Sequence, residues 1–412
     1  MPDTRGTVRG DLLSCYTASI AEYMTAAGID PDLVIGTQAY LAVRPADGGI
    51  CEFIQFHTPL RGDTPGHSLH LRRRHTPDPA EARARIIAEI ARSGRAIVVG
   101  DTFNVPWQVA YQKSHAPHWF VMDGFADEAP AGSSDRLPGR ALRVHVTDRF
   151  EFINDAGEQR PFRGWVRADA IGSLAVASPD PNPVYALRDL RAFADTGGPP
   201  DGDAGIAPDG YQWYELAGAP SAAEPDTRLV LDRLAATQAA CTRSPSSGEP
   251  GAGDAASPGP HPGDGWVAGP DAAAALADHI AANIGEPATY DNSDDVWVTA
   301  RNRQLFAETL SALGQRRGLP PLAEVGTGSA AEAARAWAVI PQLMQYNLRS
   351  LSRGRTPRPL VAERLRAAAG AERVMFGQLG EAIKHLRAAG AACPGSQTRC
   401  LPTQFPPEEG KR

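Results

Sequence analysis

The chain has 412 residues, enough for two or three domains, and 42% of them are hydrophobic, which is enough to bury a sizeable core. It carries 41 Lys and Arg against 48 Asp and Glu, a net charge of −7, so we expect no general electrostatic attraction to nucleic acid or to anionic membranes. With 41 glycines and 36 prolines, part of the chain must be loop or linker.

The N-terminus and the cysteine pattern predict a cytoplasmic protein. The first ten residues contain no apolar segment of the secretory type, and no apolar run approaches the ~18 residues of a membrane-spanning helix. The cysteines have neither the paired spacing of a zinc site nor the density of a disulfide scaffold, so we expect free, reduced thiols. They are Cys15, Cys51, Cys241, Cys393 and Cys400.

Residues 1–195 predict an α+β domain, with helices first and successive strands later. Ser14 is placed to cap a helix over 15–27, and Asp78, Pro79 and Glu81 predict the cap, first turn and capping-box acid of a second helix. Short apolar or alternating runs then predict strands. These strands cover 95–101, 118–125 and 141–148, and the segments 150–153 and 164–166 would extend the same sheet.

The second half of the chain predicts mostly helix. Residues 196–241 predict a loop followed by a short helix, and 242–265 predict a disordered linker because they are rich in Gly and Pro and hold no large apolar side chain. Residues 266–392 predict a helical domain, and 393–412 a flexible tail. Apolar residues at three- and four-residue spacing place its helices over 271–284, 296–313, 329–351 and 359–385.

Cys15 is the residue with the clearest chemical potential. It occupies the predicted first turn of a helix, directly after the capping Ser14. There, unpaired backbone N–H groups and the helix dipole favour the thiolate, and the same N–H groups can hold an oxyanion. The alternative is an inert buried cysteine, since free cysteine is among the most buried residue types.

His118 and Asp148 supply the partners that a nucleophilic cysteine needs. His118 opens an apolar strand, where it can face the helix N-terminus as a base. Asp148 ends the next alternating strand, where a carboxylate can fix the tautomer of the imidazole. The order Cys, His, Asp in a helix–strand–strand context is the papain-type arrangement.

A compound motif resembles a known family. Its residues are Gly100-Asp-Thr-Phe-Asn-Val-Pro-Trp107, Tyr111, Lys113, His115, His118 and Gly124-Phe125. Together with the Cys15 helix start and the strand end at Val146-Thr-Asp148, this pattern is similar to the butirosin biosynthesis H-type proteins. The resemblance covers roughly residues 10–190. It implies a papain-like catalytic domain followed by a helical C-terminal region.

The resemblance also implies an activity, cysteine-dependent acyl transfer in natural-product biosynthesis. An acyl group would pass from the thioester of an acyl carrier protein to Cys15, and then to a small-molecule amine. Cys15 would be the nucleophile, His118 the base and Asp148 the orienting acid. Asp101, Trp107, Tyr111 and His115 would contact substrate. No cofactor, metal, nucleic acid or membrane partner is implied.

Two positions depart from the pattern. Papain-type enzymes carry an oxyanion-hole glutamine ahead of the cysteine, where this chain has Arg9, so the second oxyanion donor is unassigned. Where the family has Gly-Tyr-Asp, this chain has Gly124-Phe-Ala126, and the acidic residue follows one position later, at Asp127.

Several weaker signals have two interpretations each. Asp101 either contacts substrate or bonds the backbone of the following turn. His67 and His70, with His57 and His75 nearby, could hold a metal, but glycines, a proline and arginines around them predict a mobile loop and disfavour a zinc site. The cluster at 72–74, three arginines, is either a solvated surface or a docking patch for an acidic carrier protein.

Two rival functions remain open from the sequence. A hydrolase with the same triad would pass the acyl group to water, and the choice depends on how well the site excludes water. A non-catalytic binding or scaffold protein would use Cys15 only as a core residue.

Overall fold

The computed structural model describes residues 9–45, 51–55, 63–64, 67–68, 71–127, 142–154, 157–177, 210–216, 221–222, 227–242 and 265–392. Helices and strands both contribute, so the α+β class predicted from the sequence is confirmed. Nearly all of the predicted linker 242–265, most of the predicted loop that begins at 196, and the tail 393–412 lie outside the described residues.

The first helix begins where the sequence predicts, and so does the second. Helix α1 begins at Cys15 after its cap Ser14, and α2 begins at Pro79 after its cap Asp78. Gly94 ends α2 in the left-handed region with φ 84°. The helices are α1 Cys15–Ala26, α2 Pro79–Ser93, α3 Ile171–Leu174, α4 Thr227–Thr242, α5 Pro270–Ala282, α6 Ser293–Arg316, α7 Pro320–Val325, α8 Ala331–Ala338, α9 Ile340–Ser352 and α10 Leu360–Ala392.

The strands follow the same chain order. They are β1 Leu41–Pro45, β2 Cys51–Gln55, β3 Asp63–Thr64, β4 His67–Ser68, β5 Leu71–Thr76, β6 Ala96–Asp101, β7 Pro117–Asp127, β8 Leu142–Asp148, β9 Phe152–Asn154, β10 Gly157–Gln159, β11 Phe162–Arg167, β12 Tyr211–Leu216, β13 Ser221–Ala222 and β14 Val267–Ala268.

A six-stranded antiparallel sheet forms the centre of the first half, in the order β11-β8-β7-β6-β12-β5. The register pairs Gly100 of β6 with His118 of β7, and Val121 of β7 with Thr147 of β8. Because β7 and β8 are antiparallel, the beginning of β7 and the end of β8 lie at the same edge of the sheet.

Each face of this sheet is covered by a helix. On one face, Ile20 and Met24 of α1 pack with Trp119 and Val121. On the other face, α2 and α3 pack against a separate set of alternating residues. That set includes Ile86, Ile90, Val98, Phe120, Met122, Val144, Val146, Ile171 and Leu174. In the middle of β7, Trp119 and Val121 therefore face α1, and Phe120 and Met122 face α2.

Three details of the predicted first half are wrong. The segment 150–153 does not extend the main sheet, because β9 pairs with β10 in a separate hairpin. The arginines at 72–74 lie in the edge strand β5 rather than in a mobile loop, and β5 pairs with β12. Glu81 does not close a capping box, because its carboxylate accepts from the Thr76 hydroxyl at 2.8 Å, and Thr76 in turn accepts from the Asp78 N–H.

The helical half is mostly as predicted. The predicted helix 329–351 is interrupted near Val339, where α8 ends and α9 begins with Pro341 in its first turn. Proline has no backbone N–H and disfavours continuous helix, which accounts for the break. Ile340 and Met344, which follow the three- and four-residue apolar spacing, are buried. No helix among the described residues has the length and apolar character needed to cross a bilayer.

Contacts cross the predicted domain boundary at residue 195. Leu41 and Val43 of β1 pack in one core with α5, α8, α9 and α10. Val298 and Leu305 of α6 pack in the same core as α1 and Cys15. The division into 1–195 and 266–392 stays a prediction, and the two halves share hydrophobic cores.

An ion pair is completely buried in the helical half. Arg303 of α6 and Glu372 of α10 are both 0% exposed and are hydrogen-bonded. Glu372 also accepts from the Trp337 indole at 2.8 Å, and Arg303 donates to Asn302 at 2.8 Å. The pair therefore fixes α6, α8 and α10 relative to one another.

Breaking this pair is expected to destabilise the protein more than removing it. Arg303→Met leaves the Glu372 charge buried without its cation, which typically costs about 3–5 kcal/mol. The double variant Arg303→Met/Glu372→Leu removes both charges and should lie well above the single variant in stability. Urea unfolding curves compare the three proteins. Equal losses in the single and double variants would contradict the role given to the ion pair.

Candidate active site

The helix start at Cys15 is fixed by reciprocal hydrogen bonds. Ser14, in extended conformation, accepts the Thr17 N–H on its hydroxyl at 3.2 Å. The Thr17 hydroxyl accepts the Ser14 N–H at 2.9 Å. Cys15 is consequently the first helical residue, where a backbone N–H has no intrahelical acceptor. Cys15 is 9% exposed.

The structure brings the three predicted triad residues together. His118 lies near the beginning of β7 and Asp148 at the end of β8, and His118 Nε2 is 2.7 Å from Asp148 Oδ2. The Cys15 side chain lies beside the His118 ring, close enough to raise the pKa of that ring. Since Nε2 faces Asp148, Nδ1 is the ring nitrogen left for the thiol. The His118 and Asp148 side chains are 2% and 1% exposed.

Asp148 is held by four donors. Its Oδ2 accepts from His118, from the Trp107 indole at 2.8 Å and from the Gln108 amide at 3.0 Å. Its Oδ1 accepts the Phe150 N–H at 3.0 Å. These bonds fix the orientation of the carboxylate, and through it the imidazole.

The Gln108 amide nitrogen also lies 2.7 Å from His118 Nε2. Two donors cannot bond each other, so the bond consistent with a protonated Nε2 is the one from Gln108 to Asp148. Gln108 is buried, and it was not identified from the sequence. The only feature of the sequence that pointed to Gln108 was its position directly after Trp107 of the motif.

The charge of the pair favours a protonated imidazole. Burial lowers the pKa of His118, but the charge and hydrogen bond of Asp148, together with the contact to Cys15, outweigh burial and raise the pKa from an ordinary 6.5 to about 10. The ring is therefore an imidazolium at neutral pH.

This shift predicts a pH-dependent contribution to stability. Because the folded-state pKa of His118 is raised, its stabilisation is complete below pH 6.5 and is lost as the pH rises towards about 10. The gap in unfolding free energy between wild type and His118→Gln should shrink from pH 7 to pH 9 by up to about 1.4 kcal/mol per pH unit. Urea unfolding at pH 7, 8 and 9 measures the gap, and a constant gap would contradict the shift.

The residues predicted to contact substrate fall into two places. Asp101 is fully buried, and its carboxylate accepts from the Phe103 and Ala116 N–H groups at 3.2 Å and lies 2.5 Å from His115 Nδ1. This geometry supports the local, turn-bonding interpretation of Asp101. The His115 ring stacks on Phe103 and is partly exposed.

Trp107 and Tyr111 line a pocket of about 390 Å³. The other aromatic residues of its wall are Phe103 and Phe162, and the Trp107 ring stacks on Phe162 at 4.4 Å. The Trp107 indole N–H is the one that binds Asp148. The pocket therefore adjoins the triad through Trp107.

Arg9, which stands where the papain-type pattern has a glutamine, is engaged in ion pairs. Its guanidinium binds Asp11 at 2.8 and 2.9 Å and also pairs with Glu308 of α6. These bonds raise the pKa of Arg9 above its ordinary value. The backbone N–H of Cys15 is thus the donor that the helix start offers to an oxyanion.

Helix α6 also contacts the segment before Cys15. This contact was not predicted from the sequence. Arg301 donates to the carbonyls of Gly10 at 3.3 Å and Leu13 at 3.2 Å, and it stacks on Trp297 at 3.9 Å. Burial lowers the pKa of Arg301 to about 10. A side chain added at Gly10 would collide with the Arg149 carbonyl, so this segment is held from two sides.

The other described cysteines lie in different surroundings. Burial raises the pKa of Cys51 and of Cys241 to about 12, and the Cys241 thiol bonds the Ala39 carbonyl at 3.5 Å. Both are therefore protonated thiols at neutral pH. Cys393 and Cys400 lie outside the described residues.

No metal-binding group emerges among the residues that the structure describes, counted as three or more neighbouring His, Cys, Asp or Glu side chains. Of the histidines weighed as ligands, His57 and His70 lie outside those residues.

A second histidine–carboxylate pair, His145 and Asp123, lies 2.6 Å apart on β8 and β7.

Neither a scan against protein-family models nor a search of curated proteins finds a match to this chain. The resemblance to the butirosin biosynthesis H-type proteins stays a prediction that rests on the motif residues.

Proposed function

We propose that this protein is a cysteine acyltransferase that moves an acyl group from a carrier-protein thioester, through acyl-Cys15, to a small-molecule amine in natural-product biosynthesis. One observation carries the proposal. The Cys15 thiol, at a capped helix N-terminus, lies beside an imidazole that a buried carboxylate holds at 2.7 Å. This arrangement provides a nucleophile, a proton carrier and an orienting group in contact.

Loading of Cys15 would form one bond and break one. The sulfur, as thiolate beside the His118 imidazolium, attacks the thioester carbonyl, and the Cys15 N–H stabilises the oxyanion. The bond between the acyl carbon and the carrier sulfur then breaks. His118 gives its proton to the departing sulfur, which leaves the carrier as a free thiol and His118 neutral.

Transfer would run through the same ring in the opposite direction. The amine attacks the acyl carbon, and neutral His118 takes a proton from the amine nitrogen. The bond to Cys15 breaks, an amide is released, and the thiolate–imidazolium pair is restored. Asp148 stays ionised and supports the charged ring in both steps.

The fold around these residues supports a papain-like catalytic unit. A helix that begins at the nucleophile packs on an antiparallel sheet whose neighbouring strands carry the histidine and the acid. The chain order Cys, His, Asp agrees with that arrangement. The helical region 266–392 would then be the partner domain.

A carrier protein as donor has weaker support from the surface. Arg73 donates to Gln212 at 2.9 Å, and Arg74 pairs with Glu215 at 2.8 Å. Arg72 is exposed on the same strand. The cluster predicted to dock an acidic carrier therefore has two of its three arginines committed within the sheet.

Intact mass spectrometry tests the proposed function. The full chain is mixed with acyl-pantetheine thioesters of different chain length, and an adduct of the acyl mass is expected on the Cys15 peptide. Adding a panel of primary amines should speed the loss of the adduct and yield the amide. Discharge at one rate with and without every amine would favour the hydrolase, and no adduct with any thioester would favour the scaffold.

A further inference from the structure

The pocket beside Trp107 has the size and lining of a small-molecule site. Its volume of about 390 Å³ falls within the range of ligand pockets, roughly 300–1,000 Å³. Four aromatic rings, Phe103, Trp107, Tyr111 and Phe162, form much of its wall, and no side chain of the lining carries a formal charge.

The wall is held in place by hydrogen bonds and stacking. The Trp107 ring lies parallel to Phe162 within 7° and edge-on to Phe120. The Gln159 amide bonds the Trp107 carbonyl at 3.3 Å and the Val109 N–H at 2.8 Å. The pocket is therefore pre-formed on its aromatic side, which lowers the entropic cost of binding.

Strained backbone lies at the rim of the pocket. Gln112 has φ 54°, and it is the non-glycine residue with positive φ among the described residues. Its N–H bonds the Phe103 carbonyl at 3.1 Å, and its amide bonds the Tyr111 hydroxyl at 3.1 Å. Residues held in this region often lie at ligand clamps, because the surroundings must enforce the unfavourable conformation.

We infer that this pocket binds a small, neutral, flat aromatic molecule. The Trp107 and Phe162 rings stack on each other and, with Phe103 and Tyr111, form an aromatic wall against which a flat ligand can pack. A charged ligand would lose hydration without meeting an opposite charge in the lining. No carboxylate of the lining would pair with the protonated amine of the proposed acceptor, and the inference stands independently of acyl transfer.

Fluorescence titration of the full chain with N-phenyl-1-naphthylamine, a neutral aromatic probe, tests the inference. We expect saturable binding of one probe per chain. Val166→Trp fills the pocket from β11 and should weaken binding about tenfold or more. Arg163→Trp places the same ring on the exposed opposite face of β11 and should leave binding unchanged. Ser173→Trp, at the exposed rim, is the second filling variant if Val166→Trp does not fold.

The chemical class is tested by competition. 2-Naphthol should displace the probe, and 2-naphthoate, which has the same rings and a negative charge, should not. Unchanged binding in a folded filling variant, absence of saturable binding, or equal displacement by both competitors would overturn the inference. The titration is repeated with Cys15→Ala, in which probe binding should persist. The binding result can therefore be interpreted even if the proposed catalysis fails.

Discussion

Replacing Cys15 by alanine is expected to abolish formation of the acyl adduct and to lower acyl transfer on the order of 10³–10⁶-fold. The reason is that Cys15 would form the covalent bond to the acyl group, and neither His118 nor Asp148 can take over that role. The helix start should survive, because the capping bonds belong to Ser14 and Thr17. Adduct formation is followed by intact mass spectrometry, and folding by circular dichroism.

Cys51→Ala is the matched control for the nucleophile. Cys51 is also a buried cysteine, but burial raises the pKa of its thiol to about 12 and it lies in the core of the helical half. Loading and transfer by this variant should equal those of wild type. Normal turnover by Cys15→Ala would exclude Cys15 as the nucleophile.

Replacing His118 by alanine is expected to block both loading and transfer, by about 10²–10⁴-fold each. The same imidazole would give a proton in the first step and take one in the second. Single-turnover measurements separate the two, since pre-formed acyl-Cys15 can be mixed with amine. Selective loss of one half-reaction would show that His118 does not serve both.

His145→Ala is the control for the loss of a histidine that pairs with a carboxylate. His145 lies 2.6 Å from Asp123 on the sheet, as His118 lies close to Asp148, but its neighbours include Trp165 instead of a cysteine. We expect the activity of the His145→Ala variant to equal that of wild type.

The rate of alkylation of Cys15 gives a further test of His118. If His118→Ala leaves this rate unchanged, Cys15 and His118 are not a catalytic pair.

Asp148→Asn should have an additional effect on stability. The two carboxylate oxygens of Asp148 accept from four donors, whereas an asparagine has only one acceptor oxygen in its side chain. One donor would then face an amide NH₂, which typically costs about 1–3 kcal/mol. Activity should fall by about 10²–10⁴-fold because the imidazole loses its orienting charge. Wild-type stability in this variant would contradict the donor count.

The helix and strands that carry Cys15, His118 and Asp148 were predicted correctly, because local sequence determines them. A capping Ser14 fixes Cys15 at the helix start, and alternation fixes the ends of the strands that carry His118 and Asp148. Each of these signals needs only a few neighbouring residues. Their meeting in space follows from the antiparallel pairing of adjacent strands, which chain order already favours.

The parts that depend on distant residues were missed. The edge strand β5 pairs with β12, far along the chain, so the arginines of β5 gave no local sign of their partners Gln212 and Glu215. Gln108 became meaningful only when the loop after β6 was folded against Asp148. Arg301, which supports the segment before Cys15, lies in the helical half. The apolar spacing of its helix indicates only whether a residue is on the surface or in the core, so it gave no sign of this contact.

The bonds of Arg301 to the residues before Cys15 bear on how the chain can be divided. The helices of the second half hold the peptide that leads into the nucleophile, and the hairpin of β1 and β2 inserts among those helices. A truncated protein that ends before α6 would therefore lose the guanidinium that fixes the approach to Cys15. The smallest unit that keeps this contact includes both halves, and we expect the two halves to unfold together in a single cooperative transition.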